Sequence, residues 1–258
     1  MPAATHDRLK NKIAFVTGAA NGIGQGIARR FLDEGATVIG ADIAFDGAPG
    51  ELREGGAGRH YVMNLDVGDG AQVRAGVAAI RDRFGRIDVC VSNAALIHAE
   101  DFLDISEEDF NRSMRVNLNG VFLCGQACAR VMVETGTGGA IVNMSSCNAV
   151  LAHANLVPYC ASKGAVNQLT KTMALSLAKK GVRVNAIGPG SIATEMLKTM
   201  MQDEAASKKV MSRTPMGRLG EVDEIAATAV FLACDESSYI TGQTIYADGG
   251  RLPLGYTV

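Results

Sequence analysis

The opening of the chain constrains its fold most. The apolar, β-branched run KIAFVT (12 to 17) passes through glycines at 18, 22 and 24 into GIGQGIARRFLDEG, which has helical periodicity, and then into TVIGAD at 37 to 42. Strand, helix and strand in that order form a βαβ unit, whose strands are parallel and need cover on both faces. The rhythm continues with HYVMNLDV (60 to 67), a helix from about Asp69 to Phe84, IDVCVSNA (87 to 94), a longer helix opening at Ser106, and AIVNMSS (140 to 146). Pro158 suits a first helical turn and Gly181 a helix end, which predicts one helix over 158 to 180 before the strand VRVNAIG. A final helix from about Glu221 and a strand near QTIYADGG bring the count to about seven strands. Right-handed crossovers then give a single doubly wound α/β domain, a parallel sheet with helices on both faces.

Composition narrows the function. The 25 basic residues against 27 acidic ones give a net charge of -2, which provides no electrostatic footprint for nucleic acid and no polybasic membrane anchor. The polar start MPAATHDRLKNK lacks the apolar middle of a signal peptide, and no apolar run reaches the ~18 residues of a spanning helix, so a cytoplasmic protein is expected. Six cysteines (90, 124, 128, 147, 160, 234) sit mostly in apolar segments without a Cys-x-x-Cys pair, and the four histidines are scattered. Reduced packing thiols and no metal site are expected. No charge block, proline-rich linker or repeat divides residues 1–258, so the expected unit is one domain.

Gly18-x-x-x-Gly22-x-Gly24 stands between a buried strand and a helix, where glycines allow a tight turn and let a pyrophosphate approach the amides of the helix N-terminus. Asp42 ends the second strand 20 residues after Gly22, placed to accept hydrogen bonds from both adenosine ribose hydroxyls. That carboxylate would repel a 2′-phosphate, and Ala19, Ala20 and Asn21 supply no positive charge, so NAD is favoured over NADP. Further along, Tyr159 and Lys163 form Tyr-x-x-x-Lys, a spacing that puts both on one helix face. Ser146 lies thirteen residues upstream of Tyr159 at a strand end, and Asn117 stands in Val116-Asn117-Leu118.

Over nearly its whole length the chain resembles the short-chain dehydrogenase/reductase family, which implies a Rossmann-type fold. Loop 17 to 24 matches the family's cofactor loop, including Asn21 and Ile23, and Asp66-Val67 matches its adenine-contacting aspartate and neighbour. Ser92-Asn93-Ala94-Ala95 stands where Asn-Asn-Ala-Gly is usual, so Asn93 and Ala94 are retained and the outer two positions depart. Pro189-Gly190, Ile192 and Thr194 match the segment that holds the nicotinamide carboxamide. Asn117, Ser146, Tyr159 and Lys163 match the family's catalytic tetrad. The resemblance implies a cofactor-binding half at roughly 10–135 and a catalytic half at roughly 136–258. It also implies that Lys163 holds the nicotinamide ribose, that Asn117 holds a relay water, and that the helices near 106 to 134 and 158 to 180 pack on their copies in a homotetramer. The apolar ending Leu252 to Tyr256 is expected at a second such contact.

The chemistry asks for these residue types. Hydride leaves an alcohol carbon for nicotinamide C4 as a proton leaves the oxygen, so a base must reach that oxygen. A phenol, with a reference pKa of ~10, serves only if a neighbouring ammonium and the oxidised nicotinamide favour its phenolate. Ser146 would donate to the substrate oxygen. Ser145 precedes it on the strand and so faces the other way. Asn148, His153, Met196 and Met200 match cleft-lining positions, and residues 191–216 read as a lid. The two polar residues favour a small polar secondary alcohol, a polyol or sugar-like compound. The alternatives are a 3-oxoacyl-thioester reductase and a dinucleotide-sensing regulator without turnover. An intact tetrad weighs against the regulator, and Asp42 weighs against the reductase, whose relatives usually prefer NADP.

Overall fold

Strands β1 (Ile13–Thr17) and β2 (Thr37–Asp42) flank α1 (Gly22–Asp33) and pair in parallel, Phe15 opposite Ile39. A computed structural model of the chain describes residues 7–56 and 58–255, the side chains of Met196 and Met200 apart. Beyond β2 lie a two-residue strand β3 (Arg53–Glu54) and β4 (His60–Asn64). On the other side of β1 come β5 (Val89–Ser92), β6 (Gly139–Met144), β7 (Val182–Pro189) and β8 (Thr244–Ala247), in the order β3-β4-β2-β1-β5-β6-β7-β8. Seven strands are parallel, as the rhythm predicts. The eighth, β3, runs antiparallel to β4 at the edge, and two exposed residues are too few for periodicity to reveal. The winding reverses between β1 and β5, so the crevice at their carboxyl ends is where such a sheet accepts a ligand.

Strand β1 shows why the sheet needs two covers. Ala14 and Val16 point into a core with Ile27 and Phe31 of α1 and Ile225 and Leu232 of α8 (Val222–Ala233). Phe15 points oppositely, toward Val73 and Ile80 of α2 (Gly70–Phe84), Cys124 and Met132 of α4 (Gly120–Glu134), and Ala174 of α5 (Val157–Leu177). Side chains alternate across a strand, so a strand buried on both faces is apolar throughout.

The helix ends follow their sequence signals. Asp69 caps α2 by accepting the amides of Ala71 and Gln72, and Gly85 ends it at φ +77°. Ser106 caps α3 (Glu107–Met114) by accepting the Asp109 amide. Helix α5 carries Pro158 in its first turn and passes through a short 3₁₀ turn to Gly181 at φ +74°. Between α3 and α4 the backbone widens into a π-helical segment, Arg115–Asn119, making one continuous helix of 28 residues. Its length and hydropathy match those of a spanning helix, a run the sequence reading did not find, but half of its most apolar window is buried inside this fold. The 191–216 segment contains the short helices α6 (Glu195–Met200) and α7 (Glu204–Met211), and α7 buries none of its residues.

Candidate active site

Strand β6 and helix α5 bring the catalytic candidates together. Ser145 and Ser146 end the β6 run facing opposite ways: the Ser145 hydroxyl donates to the Lys163 carbonyl at 3.3 Å, whereas the Ser146 hydroxyl lies toward the Tyr159 phenol. Ser146 Oγ also accepts the Asn148 amide at 3.1 Å, which fixes it at the head of the following turn. Lys163 is one helical turn beyond Tyr159, and its Nζ stands 5.5 Å from the centre of the Tyr159 ring. Although 2% exposed, this ammonium makes a 2.7 Å hydrogen bond to the Met144 carbonyl at the end of β6.

Burial governs both ionisations. It pushes the Lys163 ammonium down to about 8, and it raises the Tyr159 phenol, with the Ser146 hydrogen bond opposing. The ammonium sits over the ring and spends its short hydrogen bond on Met144, leaving the phenolic oxygen in a desolvated pocket.

Asn117 is where the π-helical segment matters. The widened turn directs its carboxamide out of the helix, where Oδ1 accepts the Leu96 amide at 2.8 Å and Nδ2 donates to the Leu96 carbonyl at 2.9 Å. Nδ2 also reaches Ser162 Oγ at 3.3 Å, and that hydroxyl donates to the Tyr159 carbonyl at 2.8 Å. Asn117 thus ties the segment following β5 to the catalytic helix.

The glycine loop fits a dinucleotide. Gly18 adopts φ +66°, and a Cβ there would stand 2.7 Å from the Asn93 amide nitrogen. Asn93 Nδ2 donates to the carbonyls of Thr17 and Gly18 at 3.0 and 3.2 Å, so the end of β5 braces the loop. Asn21 heads α1 without a side-chain cap, and the first turn, with Gly22, Ile23 and Gly24, holds no acidic residue. Its amides are left to an anion, as a diphosphate requires. The Asp42 carboxylate lies beside the loop and accepts the amides of Ala20 (3.1 Å) and Ala44 (3.0 Å). Asp66, ahead of buried Val67, accepts the Gly68 amide and pairs with Arg115 at 2.9 Å. Across the crevice, Pro189 pairs with Ala247, Gly190 donates its amide to Ala247, and Ile192 is buried. Thr194 caps α6, with its methyl 3.5 Å from where a Gly22 Cβ would stand.

Of the cleft candidates, Asn148 and His153 are half-buried on the turn after Ser146. The side chains of Met196 and Met200 lie outside the described residues, as does Tyr256 in the ending. Sequence reading missed several supports. Thr17 was read only as part of the loop, yet its hydroxyl accepts the amides of both Asn93 and Ala94. Leu96, Met144 and Arg115 carry no motif because two act through backbone atoms and the third through a long-range ion pair. All six cysteines are free, and Cys90, Cys124 and Cys128 are buried in the core. Among the described residues, one trio of possible metal ligands converges, His98, Glu100 and Asp109, with Glu100 bonded to His98 and Asp109 held by Ser106 and Arg112.

A family model described as enoyl-(acyl carrier protein) reductase matches residues 18–251. A 3-oxoacyl-[acyl-carrier-protein] reductase of Thermotoga maritima is 40% identical over 94% of this chain and 98% of its own. The D-threitol dehydrogenase of Mycolicibacterium smegmatis is 40% identical over 94% of each chain. A crystal structure of a putative 2-deoxy-D-gluconate 3-dehydrogenase from Agrobacterium tumefaciens, with bound NADP, superposes with a TM-score of 0.84 at 32% identity, covering 95% of this chain and 98% of that one.

Proposed function

The chain belongs to the short-chain dehydrogenase/reductase family, and from that premise we propose that it oxidises a secondary alcohol of a polyol or sugar-like compound to the ketone, reversibly, with NAD as partner. The observation that carries this reading is the convergence of Ser146, Tyr159 and Lys163 beside the glycine loop. A bound nicotinamide dinucleotide supplies the hydride acceptor.

The protein's part is the proton. Tyr159 takes it from the substrate hydroxyl as the carbon-oxygen double bond forms, and returns it in the reverse direction. Ser146, on the side of the phenol, shares the substrate oxygen and stabilises the charge that develops there. Lys163 contributes a positive charge beside the Tyr159 ring, which favours the phenolate as it forms. Asn117 holds the catalytic helix in place and orients a water toward Lys163 for proton exchange with solvent.

Asp42 supports NAD, since its carboxylate occupies the place a 2′-phosphate would need and the adjoining Ile43 and Ala44 are uncharged. The NADP in the Agrobacterium structure belongs to that protein. The reductase of Thermotoga maritima keeps the acyl-thioester alternative in view, and substrate choice separates the two. Purified protein should reduce NAD with D-threitol or a related alditol at least tenfold faster than it oxidises NADPH with a 3-oxoacyl thioester. The opposite order overturns the proposal.

For assembly, the α4 and α5 surface supports the homotetramer. Phe122 and Leu175 are exposed there, the latter to 82%, beside an apolar cleft of about 480 Å³ lined by Gly125, Ala129, Val133, Leu169 and Met173. Light scattering should give four times the chain mass, and a monomer would refute it. In the same reading, 191–216 is a lid that closes over bound substrate, and the protein works in the cytoplasm.

A further inference from the structure

Beyond β8 the chain makes a braced turn at the mouth of the site. The Asp248 carboxylate accepts the amides of Gly250 (2.9 Å) and Leu252 (2.8 Å), and the Gly249 carbonyl accepts the Met216 amide at 3.1 Å. Because Ala247 pairs with Pro189, this turn is fixed between the 189–190 segment and the end of the 191–216 cover. Arg251 sits on it, half-buried, with its Nε shielded from solvent and lacking a hydrogen-bond partner. Nδ1 of His153, on the turn after Ser146, is shielded and partnerless too. The Arg251 charge acts on both the Cys147 thiol and the His153 ring, so the guanidinium lies in the neighbourhood of the 147–153 turn.

Native structures leave few buried polar atoms unsatisfied, and two on turns beside the catalytic serine call for a ligand. The surrounding charge says which kind. Among the described residues, Arg251 and the Lys209 and Arg213 that flank His153 pair with no carboxylate. Asp248, the nearby acid, is engaged with backbone amides. Burial and these three cations hold His153 below its ordinary range, so the ring is neutral and can donate one hydrogen bond.

We infer that Arg251 and His153 form a carboxylate-binding subsite beside the catalytic turn, so that the substrate is a polyhydroxy acid whose carboxylate is held by Arg251 while a secondary hydroxyl meets Tyr159. A guanidinium binds a carboxylate through two parallel hydrogen bonds, a geometry that a lysine cannot reproduce. The inference rests on the proposed alcohol oxidation and adds the class of alcohol.

The test is calorimetric titration of the enzyme saturated with oxidised NAD, using matched pairs of three to six carbons from glycerol and glycerate to D-glucitol and D-gluconate. At one or more chain lengths the acid should bind at least tenfold more tightly than its alcohol. Arg251→Gln should bring the pair within twofold, and Arg251→Lys should keep part of the preference. Should Arg251→Gln fail to fold, the Lys209→Gln/Arg213→Gln double variant should narrow the preference severalfold. Equal affinity for alcohol and acid at every length overturns the inference, as does an equal loss for both in Arg251→Gln or tighter binding of D-glucitol 6-phosphate than of D-gluconate. NADH formation is read separately: its absence with every compound contradicts the proposed oxidation and leaves the affinity ratio to decide the subsite.

Discussion

The floor of the site and its cover are built differently. The floor, from β6 and α5 with Asn117 behind them, is closed: Asn117 is fully buried and makes three hydrogen bonds, and Lys163 and Ser146 are buried and bonded. The proposed cover, α6 and α7, is a pair of short helices capped by Thr194 and Asp203, and α7 buries none of its residues. Positional accuracy belongs where the proton moves, and a segment with few buried contacts opens at small cost. Changes in the floor should therefore be large and act on rate, and changes in the cover small.

The largest effect should come from Lys163→Met, which would lower kcat by about three orders of magnitude. The same change should stabilise the free protein. The ammonium titrates near 8 when folded against 10.5 as a free group, so between those values the unfolded chain binds more protons and stability rises with pH. Below pH 8 the full penalty applies, about 3 kcal/mol, offset by about 1 kcal/mol for the hydrogen bond to Met144. Thermal unfolding should show Lys163→Met melting about 4 to 8 °C higher at pH 7, with the gain fading by pH 10. A lower melting temperature at pH 7 would mean that the ammonium stabilises the floor.

Asn117→Ala comes next and should act in the opposite sense on the fold, leaving the Leu96 amide and carbonyl without partners at a cost of about 2 to 4 kcal/mol. Denaturant titration checks this, and an unchanged midpoint would mean that the π-helical turn is not held by that residue. Asp42→Ala should weaken NAD by about tenfold while improving NADP relative to it, read by fluorescence titration of each dinucleotide. Unchanged selectivity would move the discrimination elsewhere. In the cover, Lys208→Ala, an exposed position on α7, should shift stability by less than about 0.5 kcal/mol. A large shift would show the cover to be packed as tightly as the floor.

The same contrast explains what could be read in advance. Strands and helices of the doubly wound core were legible because burial on two faces forces long apolar runs, and because Ser106, Asp69, Pro158 and Gly181 mark helix ends by their own backbone and side-chain chemistry. Strand alternation allows only one of Ser145 and Ser146 to face Tyr159, and the thirteen-residue spacing selects Ser146. The π-helical segment was not legible, since the residues Arg115 to Asn119 read as ordinary helix and only the Leu96 contacts explain the widening. Nor was Arg251: it follows the last strand in no motif, and its place depends on the Asp248 turn meeting the end of the cover. The surroundings of Tyr159 were not legible for a related reason. Sequence spacing supplies the neighbouring lysine but neither the burial that raises the phenol nor the Met144 carbonyl that engages the amine.

The most direct test of the account is Tyr159→Phe, which removes the one oxygen assigned to the proton and leaves the ring that packs beside Lys163. With an alditol or aldonate as substrate, absorbance of the reduced cofactor should show turnover falling by at least a thousandfold while NAD affinity stays within about twofold of the wild type. Turnover within tenfold of the wild type would contradict the assignment of the base, and with it the chemistry proposed for the floor.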